Sequence, residues 1–195
     1  MRTILATILV VLLVQVLGTV AAIYWGIFNV AATDPHWSLT QVVIDIARVR
    51  SIKARALGIA PPVNLADHKR VVAGTSHFAE HCASCHSAPG VQSGELAKGM
   101  YPQPPVLTDS AKDWSPAELF WIISNGIKMS AMPSWPGLSD EDLWNIVAFL
   151  QKLPGMSEQD YGDLAKEAIA ARGHAAGGST APDGCAPERR AAGHC

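Results

Sequence analysis

The stretch Cys82-Ala83-Ser84-Cys85-His86 constrains this chain more than any other. Two cysteines separated by two residues, with histidine directly after the second, is the spacing by which haem is attached covalently. Each thiol adds to one vinyl group, and the histidine ligates the iron from below. A structural zinc half-site with the same cysteines needs a second ligand pair at short spacing. None follows within the domain, and His174, Cys185, His194 and Cys195 lie far off in a tail with no packing pattern. A thioredoxin-like dithiol needs a βαβ setting, whereas the flanks here read as helical. The motif therefore predicts one covalent haem c in a small all-α domain.

A chain of 195 residues suits one modest domain plus an apolar segment. The N-terminus supplies that segment. Ile4 to Val30 carries no charge and is mostly Ile, Leu, Val and Ala, longer than the roughly 20 residues a membrane-crossing helix needs. A cleaved signal peptide has a shorter apolar region of about 7–15 residues. Tyr24, Trp25 and Phe28 cluster at the far end as an interfacial aromatic belt does. Residues 1–30 are expected to be an uncleaved transmembrane anchor. Charge opposes an exported domain, with Arg2 before the segment and Arg48, Arg50, Lys53 and Arg55 after it. The haem motif decides the other way, because haem c is attached outside the bacterial cytoplasmic membrane. The expected location is that membrane, with the haem domain on its periplasmic side.

Residues 31–66 read as a juxtamembrane helix and linker. Ser38 with Gln41 has capping-box spacing, Trp37 and Val42 stand where a hydrophobic staple would, and a helix is expected over 39–56. Its apolar positions Val42, Val43, Ile46 and Val49 alternate with the four basic residues. An anionic membrane surface, a partner subunit and a plain solvated helix all suit that pattern. His36 reads as a ligand, a titrating group or an interfacial residue. The turn Gly58 to Asn64, with Pro61-Pro62, ends the helix.

The haem domain is expected over 67–156. Asp67 caps a helix through Val71, Val72, Phe78 and Ala79 into the motif, with Gly74 and Phe78 one turn apart on one face. Glycine there lets another backbone approach closely. Ser139 with Asp142 opens a last helix through Leu143, Ile146, Val147, Phe149 and Leu150, and these two faces are expected to pack together. Between them Tyr101 to Leu107 is proline-rich and extended. Ser115-Pro116-Ala117-Glu118 then opens a middle helix to Asn125-Gly126. The loop from Ile127 to Trp135 carries Met129 and Met132. A loop methionine is often a gap filler, yet iron bound by one histidine still lacks a sixth partner, and a thioether is a preferred one.

Residues 68–154 resemble a class I cytochrome c domain: helix, Cys-x-x-Cys-His, Pro-x-Leu, middle helix, Met-Pro loop and a terminal helix with an aromatic near its end. The resemblance implies that Cys82 and Cys85 hold the haem, with His86 as proximal and Met132 as distal iron ligand. It implies that Pro105 and Leu107, of the Pro-x-Leu segment, adjoin the haem, the Pro105 carbonyl accepting the Nδ1–H of His86. It also implies that Phe149 packs on Gly74. From His68 to Asp160 six Lys or Arg face ten Asp or Glu, a net of about −4. The lysine-rich haem edge of the mitochondrial type is missing, so steering favours a basic or neutral partner.

A capped helix is expected over 157–171, followed by an unstructured tail, 172–195. Cys185, Cys195, His174 and His194 there could bind a soft metal or form a disulfide, or be without chemical role. The expected protein is a membrane-anchored, mono-haem electron carrier between respiratory-type redox proteins. It is not expected to be an enzyme, or to take nucleic acid or a small-molecule substrate. Two alternatives stand beside it: a fixed subunit of a membrane dehydrogenase or oxidase complex, and a haem enzyme or sensor whose sixth site opens.

Overall fold

The computed structural model describes residues 1–175, which are helical without strands. The chain divides into two units, Met1–Pro35 and the remainder from His36. In the first, α1 spans Arg2–Tyr24. At 1.5 Å per residue it is about 35 Å long, enough to cross a bilayer core of about 30 Å. Its apolar side chains are exposed all round, and by length and composition it fits transmembrane anchoring. After it the Asn29 side chain donates to Asp34 and accepts from the Ala31 amide, folding the linker on itself.

The second unit holds α2 (Ser38–Ala56), α3 (His68–His77), a π-helical turn (Phe78–Cys82) and α4 (Ala83–His86). It continues with α5 (Glu95–Lys98), α6 (Leu107–Ser110), a 3₁₀ turn (Ala111–Asp113), α7 (Pro116–Asn125), α8 (Asp140–Lys152) and α9 (Glu158–Ala175). Local signals set several ends. Asp67 accepts from the Lys69 amide at the start of α3, and full capping boxes open α7 at Ser115/Glu118 and α8 at Ser139/Asp142. Each such cap is worth about 1 kcal/mol.

The core forms where α3 crosses α8. A Cβ on Gly74 would lie 1.9 Å from the Asn145 carbonyl oxygen, so the backbones meet at a distance only glycine permits. Just beyond the crossing, the fully buried rings of Phe78 and Phe149 sit 4.9 Å apart between centroids, a contact worth about 0.5–1.5 kcal/mol beyond its buried area. Arg70 of α3 donates to the Asn145 side chain at 2.9 Å. Helix α9 packs on α3 and brings Tyr161 against Phe149.

Several expectations change. The first helix does not run straight into the motif: its hydrogen bonding slips to i→i+5 over Phe78–Cys82. The extended run stops at Val106, and Leu107 opens α6. Ser38 is the first residue of α2 rather than its cap, and Trp37 and Val42 are both exposed and form no staple. The Gln41 side chain is taken instead by Asp45 and Tyr101. Helix α2 packs on α7; its domain-facing side runs through Gln41, Val49, Ile52 and Ala56, while Val42, Val43 and Ile46 face outward, the side on which the sequence left membrane, partner and solvent open. At the other end α9 continues to Ala175, past the expected stop at 171. The expected tail from 176, with Cys185, His194 and Cys195, lies outside the described residues.

Candidate haem site

Helix α3 delivers the motif through the π turn, a feature that recurs at functional sites. The turn places Cys82 at its end, and one short helix, α4, carries Cys85 and His86. The chain leaves α4 at Ser87, whose amide donates to the Ala83 carbonyl at 3.0 Å. Ser87 has φ 62° and ψ 171°, a region that is essentially glycine-only and costs about 1–3 kcal/mol. A Gly94 amide to Ser84 carbonyl bond, at 2.8 Å, then folds the following loop back over α4.

Cys82 and Cys85 are free and half-buried. Burial, and then the neighbouring Cys85, pushes the Cys82 thiol up to about 12. Reactive redox cysteines have the opposite shift, toward the thiolate, so Cys82 lacks that character. Nor do three or more His, Cys, Asp or Glu side chains converge anywhere among the described residues in a group that could hold a metal ion.

His86 is half-buried, and its Nδ1–H donates to the Pro105 carbonyl at 2.8 Å. Burial lowers its pKa below 6.5, and the Pro105 bond partly offsets that. Burial thus favours the neutral ring. With Nδ1 occupied, Nε2 keeps the lone pair that a metal ligand needs. Proline fits the accepting position because it has no amide proton and holds the segment extended ahead of α6.

Four residues before Pro105, a second set of contacts holds the loop to the start of α2. In the same loop the Tyr101 hydroxyl accepts from the His36 amide at 2.9 Å and donates to the Gln41 side chain at 3.0 Å. The His36 ring meets Tyr101 edge-on, so His36 serves the seating of α2.

Met132 lies in the loop after α7. Gly126 ends that helix with φ 66°, and a Cβ there would lie 2.5 Å from the Pro133 backbone. The Ile127 amide donates to the Met132 carbonyl at 3.1 Å. The Ser130 hydroxyl donates to the Ile127 carbonyl and accepts from the Met132 amide. Met132 is thus fixed on both sides, and its side chain packs against the buried core together with Cys82, Leu107 and Trp135. Met129, three residues earlier, has φ 60° and is 89 % exposed.

The sequence reading missed His77 and His81. They stand four apart on the approach to the motif, with rings 6.2 Å apart, and His81 lies 5.2 Å from the Trp135 ring. His77 also faces Asp142 of α8 at 3.5 Å. This row ties the π turn to the loop that carries Met132. The i, i+4 spacing was visible in the sequence, but nothing in it pointed to Trp135.

The donor set fits a covalent haem: two free thiols in the Cys-x-x-Cys-His spacing, an imidazole with one nitrogen committed to Pro105, and a thioether packed on the core. Residues 69–150 match the family model for cytochrome c oxidase, cbb3-type, subunit III. No curated protein matches the chain. Residues 69–150 are a class I c-type cytochrome domain, a haem-binding electron-transfer module whose family carries covalently attached haem c.

Proposed function

We propose that the chain is a membrane-anchored carrier of single electrons, with haem c held by Cys82 and Cys85 and ligated by His86 and Met132. The observation that carries this reading is the 2.8 Å bond from His86 Nδ1 to Pro105, which leaves Nε2 as the only ligating atom of that ring. When bound, the haem supplies one-electron exchange between Fe(III) and Fe(II). His86 keeps its ring oriented through Pro105, and Met132 offers sulfur from a backbone pinned by Ile127 and Ser130. A thioether ligand in addition to histidine would favour the reduced iron and raise the potential. Pro105, through its bond to His86, and Leu107 would adjoin the haem, and in this reading no substrate is bound and no bond is made. In this reading α1 stays on the mature protein, in the cytoplasmic membrane of a bacterium, with the haem domain periplasmic.

Replacing Met132 with alanine tests the ligand set. The far-red sulfur-to-iron charge-transfer band of the oxidised protein should vanish and the potential should fall, since axial ligands help set haem potentials over roughly 0.8 V. Covalent haem should remain. Met129→Ala should keep the band, and the reverse pattern would refute the assignment. A strong-field six-coordinate spectrum in both redox states separates the carrier from a haem enzyme or sensor. The matched family's description favours a second reading, a fixed oxidase subunit. Purification of the full chain with stoichiometric partners would support that reading over a lone carrier.

A further inference from the structure

Helix α2 has two faces with different fates. The face through Gln41, Val49, Ile52 and Ala56 is turned to the domain, and Ile52 is 2 % exposed. Asp45, the one carboxylate of the helix, belongs to that side and pairs with Arg48. The opposite face presents Leu39, Val42, Val43 and Ile46 over its first turns and Arg50 and Lys53 over the next. The four apolar side chains are between 53 % and 76 % exposed. At 100° per residue all six fall on one side of the helix. Trp37, directly before the helix, is 86 % exposed.

We propose that this outward face of α2 docks on an anionic lipid bilayer, apolar turns in the interface and Arg50 and Lys53 against the headgroups. Three observations select lipid over protein. The face carries apolar and cationic groups and no carboxylate, the charge complement of an anionic surface. Trp37 stands at its start, and tryptophan concentrates at membrane interfaces. The proposal also rests on α1 being an anchor: only residues 25–37 separate α1 from α2, so the face stays within about 45 Å of the end of α1 along the chain. A bilayer tethered that close acts at high effective concentration. Docking would hold the haem domain against the membrane.

The test uses the full-length holoprotein in lipid nanodiscs, in a Cys185→Ser, Cys195→Ser background. A fluorophore is attached at Val43→Cys or, as the solvent-side control, at Arg48→Cys; both positions are exposed, so neither label disturbs the core. Co-elution of haem absorbance with the disc reports on the anchor alone. If it fails, the anchor reading fails and the docking proposal, which rests on it, falls with it; if it succeeds, the quenching arms below decide docking by itself. In discs of phosphatidylcholine with phosphatidylglycerol, nitroxide-labelled lipid should quench the probe at 43 and spare the probe at 48. Arg50→Gln with Lys53→Gln should lower the docked-to-undocked ratio roughly 25-fold, about fivefold for each charge lost near the surface. Equal quenching at both positions, or an unchanged ratio in the charge variant, would overturn the proposal. So would a probe at 43 that is shielded from water yet untouched by nitroxide lipid, because a partner protein or a second copy would then cover the face.

Discussion

On the His86 side of the candidate haem site the chain is held by helices, and on the Met132 side by a loop. Cys82, Cys85 and His86 ride on α3, the π turn and α4, and their position follows from the α3/α8 crossing at Gly74. Met132 hangs from the end of α7 by two backbone links and the Ser130 hydroxyl. Each side turns on a glycine whose Cβ would strike backbone, Asn145 in one case and Pro133 in the other. The difference lies in what each glycine carries. Gly74 sits under the core of the whole domain, whereas Gly126 supports only the loop. One side can therefore fail alone, and the other cannot.

Gly74→Ala should break this contrast most severely. The added methyl meets a carbonyl oxygen that cannot move without parting α3 from α8. Overpacking of this kind costs about 3 kcal/mol or more, a large share of a total stability of about 5–15 kcal/mol. Guanidinium unfolding of the holoprotein should show that loss, and the haem spectrum should be disturbed with it. An alanine variant of near wild-type stability would show that the crossing is looser than described.

Gly126→Ala should separate the two sides. Its φ of 66° and the contact with Pro133 should cost about 2 kcal/mol. The sulfur-to-iron band should weaken or disappear while the thioether-bound haem and the His86 environment persist. Loss of both at once would mean that the loop and the helical side are not independent.

Ser87→Gly sharpens the comparison from the His86 side and should be stabilising. It relieves backbone strain at φ 62°, against the higher chain entropy of glycine, for a net gain of about 0.5–1 kcal/mol. The denaturant midpoint should rise with the band unchanged.

The smallest effect is expected at Arg172, which donates to Glu80 in the π turn and to the Ser76 carbonyl. The hydrogen bond from Arg172, and then its charge, holds the Glu80 carboxyl below its ordinary 4.5. An unfolded chain then binds the more protons in this range. The pair's stabilisation is present above about pH 4.5 and lost as pH falls through the lower folded value. Arg172→Gln should lower stability slightly at neutral pH and leave the most acid end unchanged, which flattens the acid side of the profile; the effect is small because both side chains are half-exposed and solvent screens them.

Where neighbours in sequence settled the outcome, the sequence alone was enough. The caps at Asp67, Ser115 and Ser139 bond within three residues, so α3, α7 and α8 begin where their side chains dictate. The stripe Leu143, Ile146, Val147 and Leu150 recurs at the helical period, and that face is buried. Gly74 was legible because only one residue type lets two helices touch backbone to backbone. Cys82, Cys85 and His86 were singled out by spacing alone, and the fold sets them together on the π turn and α4.

Tertiary structure decided the rest. The sequence of α2 shows apolar residues on two sides, and a period cannot say which stripe finds a partner. Tyr101, sixty residues away from Gln41, and the surface of α7 chose the face that includes Gln41. That choice left Val42, Val43 and Ile46 outside. The π turn, the row from His77 through His81 to Trp135 and the seat of α9 on α3 likewise depend on groups far apart in the chain. Local propensity acts over a turn or two, whereas these contacts exist only once the chain has closed on itself and buried area outweighs a side chain's own preference.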